Sequence, residues 1–193
     1  MSSATLQNAI TVLTNLFIYP VILLLIFGMA YALYSLGNML VESFQRKGKI
    51  KSINNLKEPD QDFSRYQGIQ EWKKQVDLEP SASYWQLHDR TEVLLKKRIN
   101  RVRTWVKLGP TIGLIGTLIP LGSALSSLAN NNFKQLAESG THSIGATVMG
   151  LTIGALCMIV VTHYERWYAI DLAEVRHAIE KEETNKHHNI KTK

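Results

Sequence analysis

The sequence predicts an all-α integral membrane protein with three transmembrane helices, the second and third extended into a cytoplasmic helical bundle. Two observations carry this. Residues 1–41 hold no charged side chain, and two later segments, Leu108–Ala129 and Ser139–Tyr164, contain no carboxylate, lysine or arginine. Whole-chain averages conceal the pattern: a mean hydropathy of −0.07 and a charged fraction of 20% would suit a soluble protein. The distribution does not, because three uncharged runs of this length in one short chain are rare outside membranes.

The first element is the N-terminal segment 1–41, with transmembrane helix 1 at about 16–36. The run Leu16–Leu36 matches the roughly 20 helical residues that cross a hydrocarbon core about 30 Å thick. It lacks a basic n-region and is too long for a cleaved signal peptide. Residues 42–107 then form a cytoplasmic helical region. Its first part, Ser52–Ser83, is polar and too small to bury a core alone, with turns expected at Glu58-Pro59-Asp60 and Glu79-Pro80-Ser81. From Tyr84 onward Leu87, Thr91, Leu95, Ile99, Val102 and Val106 recur at helical spacing. No breaker intervenes before Pro110, so one helix is expected to run from the cytoplasm into the membrane.

The transmembrane hairpin occupies 108–164, as spans of about 108–129 and 139–164. Its turn, Asn130-Asn131-Asn132, is too short to hold a domain. The C-terminal helix and tail, 165–193, carry another stripe in Tyr164, Tyr168, Leu172, Val175 and Ile179. Apolar faces left over on the two extensions call for partners, and other copies of the chain are the natural ones.

Orientation follows from the bias of Lys and Arg near helix ends. Arg46, Lys47, Lys49, Lys51 and Lys57 follow the first span, and seven basic residues from Arg90 to Lys107 precede the second, whereas the hairpin turn has only Lys134. The N-terminus and the Asn-rich turn are therefore expected outside, and 42–107 and the C-terminus in the cytoplasm. Residues 42–107 hold fifteen basic and nine acidic residues, which accounts for the whole net charge of +6. Nucleic-acid binding is not needed to explain it, and the Lys96–Arg103 cluster reads as an anchor to membrane lipids. The single cysteine, Cys157, excludes an intrachain disulfide, and His187-His188 reads as solvated tail.

The hairpin carries the functional signal. Gly113, Gly116 and Pro120 share one face of the second span, with Leu114, Leu118, Leu121 and Leu125 roughly 110° away at 100° per residue. Ser143, Thr147, Gly150 and Gly154 make a comparable face on the third. Small residues let membrane helices approach closely, so these are expected packing positions. Thr147 lies on its small face and Thr117 at the edge of the other. A threonine in a membrane helix often bonds its own backbone; a ring of such hydroxyls from several subunits could also solvate water or a proton, because a hydroxyl both donates and accepts. Hydroxyls do not titrate near neutral pH, so proton transport through this hairpin needs a titratable group from elsewhere. His142, near the outer end, is a candidate gate; an interfacial, hydrogen-bonded histidine is the plainer reading. No nucleophile–base pair, metal-ligand spacing or phosphate loop is present, so neither an enzyme nor a metal or other cofactor is expected.

Gly113-Leu114-Ile115-Gly116-Thr117, followed by Ile144-Gly145-Ala146-Thr147-Val148-Met149-Gly150-Leu151, resembles the paired signature of the MotA/TolQ/ExbB proton channel family. The resemblance covers about residues 84–180 and, with three spans, is nearest the TolQ- and ExbB-like members. It implies a ring-forming oligomer, a homopentamer, around a dimer of a single-span partner of the ExbD/TolR/MotB kind whose helix bears an aspartate. It places Thr117 and Thr147 on the two pore-lining threonines, and it implies an ion-driven motor in the inner membrane. Two positions depart from the common pattern: His142 stands where ExbB-like members often have a glutamate, and Pro120 interrupts the second span. The competing reading is a non-conducting oligomeric membrane scaffold whose glycines serve packing alone. A small-solute transporter lacks a polar binding constellation.

Overall fold

The computed structural model describes residues 3–46, 66–129 and 131–191. It contains four helices, α1 (Ser3–Gln45), α2 (Gln67–Leu78), α3 (Tyr84–Ala129) and α4 (Phe133–Lys191), and among the described residues no strand. Lys47, Lys49, Lys51, Lys57, the Glu58-Pro59-Asp60 segment and Asn130 lie outside the described residues, as do the side chains of His187 and His188.

Three helices contain stretches long and apolar enough to cross a membrane: Leu16–Phe44, Tyr84–Gly122 and Phe133–Asn185. Each range is longer than a bilayer requires, and charge is absent only from 16–41, 108–122 and 139–164 within them. α3 runs unbroken through Pro110 and Pro120. A proline frees one backbone carbonyl a turn earlier, which a membrane helix tolerates where a neighbouring helix covers the site.

The asparagines of the hairpin turn have separate tasks. Asn131 adopts a left-handed conformation at φ 56°, which asparagine tolerates better than most residues. Asn132 caps α4, its Oδ1 accepting the Gln135 N–H at 3.2 Å. At the other junction the Glu79-Pro80-Ser81 segment is a turn between α2 and α3, closed by the Ala82 N–H donating to Glu79 O at 3.1 Å.

The chain divides into two compact units, Met1–Leu36 with Val102–Ile159, and Gly37–Arg101 with Val160–Lys193. In the first, Trp105 of α3 packs on α1, with Phe27 and Tyr31 rings each 5.9 Å from it by centroid. Gly28 makes that approach possible: a Cβ there would stand 2.7 Å from the Trp105 ring. Val21, Leu25, Ile112, Ile153 and Cys157 are buried, whereas Leu114, Leu118, Leu121 and Leu125 are exposed on the outer face of α3.

The second unit has an apolar core of its own. Ile69 and Trp72 of α2 pack with Tyr66 against Val175, Ala178 and Ile179 of α4. Leu87, Thr91, Leu95 and Ile99 of α3 are buried, and the one hydroxyl among them is satisfied by Thr91 Oγ1 donating to Leu87 O at 2.8 Å. Tyr164, Tyr168, Val175 and Ile179 are buried along α4, but the middle of that stripe is Asp171, at 0% exposure, and Leu172 is only half-buried. Spacing alone favours the leucine. The aspartate takes the place because a buried guanidinium meets it there.

Candidate functional site

The hairpin brings the small faces of α3 and α4 to backbone contact. A Cβ built on Gly150 would stand 2.6 Å from Gly109 O and 2.6 Å from Gly113 Cα. One on Gly113 would stand 2.9 Å from Ala146 O, and one on Gly109 2.8 Å from Gly150 O. Further along, Gly154 receives the Pro110 ring, 2.9 Å from where its Cβ would be. Gly116 faces Ala146 and also Val21 of α1, at 2.9 Å and 3.3 Å from its would-be Cβ. The contacting atoms are largely backbone, which cannot rotate away, so glycine is the residue that permits this crossing. Gly122, Gly140 and Gly145 face open space instead.

Two hydroxyls, of Thr117 and Ser143, each bond a backbone carbonyl of α3. Thr117 Oγ1 donates to Leu114 O at 2.7 Å, the local bond common for threonine in a helix. Ser143 Oγ donates across to Thr117 O at 3.0 Å. Thr147, half-buried, lies one turn beyond Ser143 on the face that continues through Gly150. With its proton given to Leu114 O, Thr117 keeps lone pairs that can accept from water or from an acid. The outlying threonines, Thr111, Thr141 and Thr152, donate to carbonyls four residues back and are exposed.

Beside this crossing, between α1 and the hairpin, lies a cavity of about 640 Å³. Val21, Leu25 and Met149 contribute apolar wall, while Ser139, Thr141 and His142 supply the polar side. Pro120 borders the cavity, and His142 is exposed. Thus His142 and Pro120 share one cavity, distinct from the Gly109–Gly150 contact.

In the other unit a buried ion cluster escaped sequence reasoning. Arg46 Nη1 and Nη2 donate to Asp171 Oδ1 and Oδ2 at 2.9 and 2.8 Å, a bidentate pair. Its Nε donates to Glu42 Oε1 at 2.9 Å. Tyr66 and Trp167 rings lie 5.1 and 5.0 Å from the guanidinium carbon, within cation–π range. Asp171 Oδ2 also accepts the Gly68 N–H at 3.0 Å, so a carboxylate from α4 serves the N-terminal turn of α2. Gly68 has to be glycine for this, because a Cβ would stand 2.6 Å from Asp171 Cβ. Only one signal was open to sequence reading, an aspartate interrupting the 164–168–175–179 stripe. Arg46 counted merely as one of several bases, and nothing local marks Glu42.

Among the described residues one trio has metal-ligand proximity, His88, Asp89 and Glu92 on α3. Glu92 is paired with Lys96, and Asp89 is 79% exposed by side chain, as expected of a solvated helix face.

A family profile described as the MotA/TolQ/ExbB proton channel family matches residues 58–188. No curated protein and no solved structure matches the chain.

Proposed function

Because the chain belongs to the MotA/TolQ/ExbB proton channel family, we propose that it is a proton-channel ring subunit of an ion-driven membrane motor. The observation that carries this reading is the hairpin, in which glycines hold two helices at backbone contact and Thr117 and Thr147 supply hydroxyls, with no carboxylate, lysine or arginine in either span and histidines, His142 and His163, only near the ends of the third transmembrane span. Such a pore is chemically incomplete. A single-span partner bearing a membrane aspartate completes it, and the two threonines then offer that acid, and water beside it, hydrogen-bond partners where an isolated charge would cost several kcal/mol. Proton passage on and off the aspartate turns ring and partner relative to each other.

In this reading five copies surround a partner dimer in the inner membrane. The N-terminus and the Asn131–Asn132 turn face outward, and the second unit forms a cytoplasmic bundle. The exposed leucines of α3 meet lipid or neighbouring copies. Gly113, Gly116, Gly150, Gly154, Ser143 and Pro120 set the helix packing, and His142 borders the outer mouth. One observation favours the scaffold reading, the bond of Thr117 to its own backbone; the lone pairs it leaves free keep the conducting role open.

Native mass spectrometry of the chain purified from its own membranes tests the assembly. The expected species is a pentamer with two copies of a single-span protein; a monomer or a partner-free dimer contradicts it.

A further inference from the structure

We propose that Glu42 is a proton-binding site, a buried carboxyl that carries a proton on its free oxygen Oε2 while Arg46 holds Oε1. Glu42 lies beyond the charge-free part of α1, and its side chain is 3% exposed. Arg46 reaches Oε1 through Nε at 2.9 Å and through Nη2 at 2.8 Å. Oε2 is buried and has no hydrogen-bond partner among the described residues. The other acid of the cluster is differently served. Asp171 has both oxygens bonded, Oδ1 to Arg46 and Oδ2 to Arg46 and the Gly68 N–H.

Charge counting leads to the same residue. Among the described residues two buried carboxylates face one guanidinium, so full ionisation leaves one negative charge in excess, and an unpaired buried charge is expensive. The other groups that face Glu42 do not remove it. Arg98 of α3 acts on it electrostatically but is exposed, so water screens its charge. Tyr168 of α4 is neutral, burial pushing its phenol upward. A proton on Oε2 balances the cluster and neutralises the one oxygen that no other described residue serves. Burial accordingly pushes the Glu42 carboxyl above its ordinary 4.5, against the attraction of Arg46.

This site is built from Glu42 of α1, Arg46 just beyond it, Gly68 of α2 and Asp171 of α4, all within the second unit, so it stands or falls separately from the motor reading. Its thermodynamic sign is definite. A carboxyl whose pKa is raised by folding adds stability that is fully present below the unfolded value and is lost as pH rises through the folded one. Acidification therefore tightens the Arg46–Asp171 cluster.

Glu42→Gln copies the protonated acid, keeping an acceptor for Arg46 and adding no charge. Thermal unfolding of the full chain in nanodiscs, wild type against Glu42→Gln, is measured from pH 4.5 to 8. The expected result is a variant several degrees more stable at pH 8, with the gap closing towards pH 4.5. A variant less stable than wild type at pH 8 shows that an ionised Glu42 supports the cluster, and overturns the proposal. Infrared spectra of wild-type protein with ¹³C-labelled glutamate give a second readout that does not depend on the variant folding. A protonated glutamic carbonyl band that persists to higher pH than that of the exposed glutamates is expected, and its absence overturns the proposal.

Discussion

Thr147→Val is expected to abolish proton flux through the assembled complex while leaving the oligomer intact. Valine keeps the β-branched shape and loses only the hydroxyl, so helix propensity and packing change little. Thr147 lies between Ser143, which donates to Thr117 O, and Gly150, which touches Gly109 and Gly113. Its side chain is half-buried, leaving room for a partner helix to reach it. Leaving a dehydrated acid or water without that partner costs about 1–3 kcal/mol, and each 1.4 kcal/mol is about a factor of ten in rate. In the proposed ring every copy repeats the loss. Flux from liposomes, read with a pH-sensitive dye, checks the effect, and native mass spectrometry checks assembly. Unchanged flux assigns the hairpin to packing alone, which is the scaffold reading.

The second large effect is structural. Gly150→Ala is expected to destabilise the hairpin, because its Cβ would stand 2.6 Å from both Gly109 O and Gly113 Cα. Those atoms belong to the backbone of another helix, so relief requires the helices to separate. Overpacking of this kind costs roughly 1–3 kcal/mol, more than the ~1 kcal/mol that alanine gains over glycine in a helix. Gly150→Leu should prevent assembly outright. Gly145 provides the contrast on the same helix, since nothing lies within 4 Å of its Cβ position. Gly145→Ala should therefore raise the unfolding temperature while Gly150→Ala lowers it. Thermal unfolding of both in the same detergent checks the pair, and shifts of equal sign contradict the packing account.

Much of the fold was legible because it is local. The absence of charge marks the spans, and the spacing of Leu87, Thr91, Leu95 and Ile99 marks the buried face of α3. Asparagine suits the left-handed residue and the cap of the hairpin turn. The glycines of the hairpin announce close approach, but not which pairs meet: Gly145 and Gly150 look alike in sequence and differ entirely in surroundings. The ion cluster was hidden for a related reason. Arg46 and Asp171 are 125 residues apart, and helical periodicity says which face a residue is on without naming its partner. Leu172 therefore looked like the stripe residue, although the buried position belongs to Asp171. The segment before α3 looked too small to bury a core, which is true of it alone; with Val175 and Ile179 of α4, its Trp72 and Ile69 do so.

The absence of any carboxylate, lysine or arginine from the two hairpin spans makes the central claim directly measurable. Proton flux is compared between liposomes holding the purified chain alone and liposomes holding it with the proposed single-span partner. The account predicts conduction only with the partner present, and its loss when the partner's membrane aspartate is replaced by asparagine. Equal proton flux through the chain alone would contradict it.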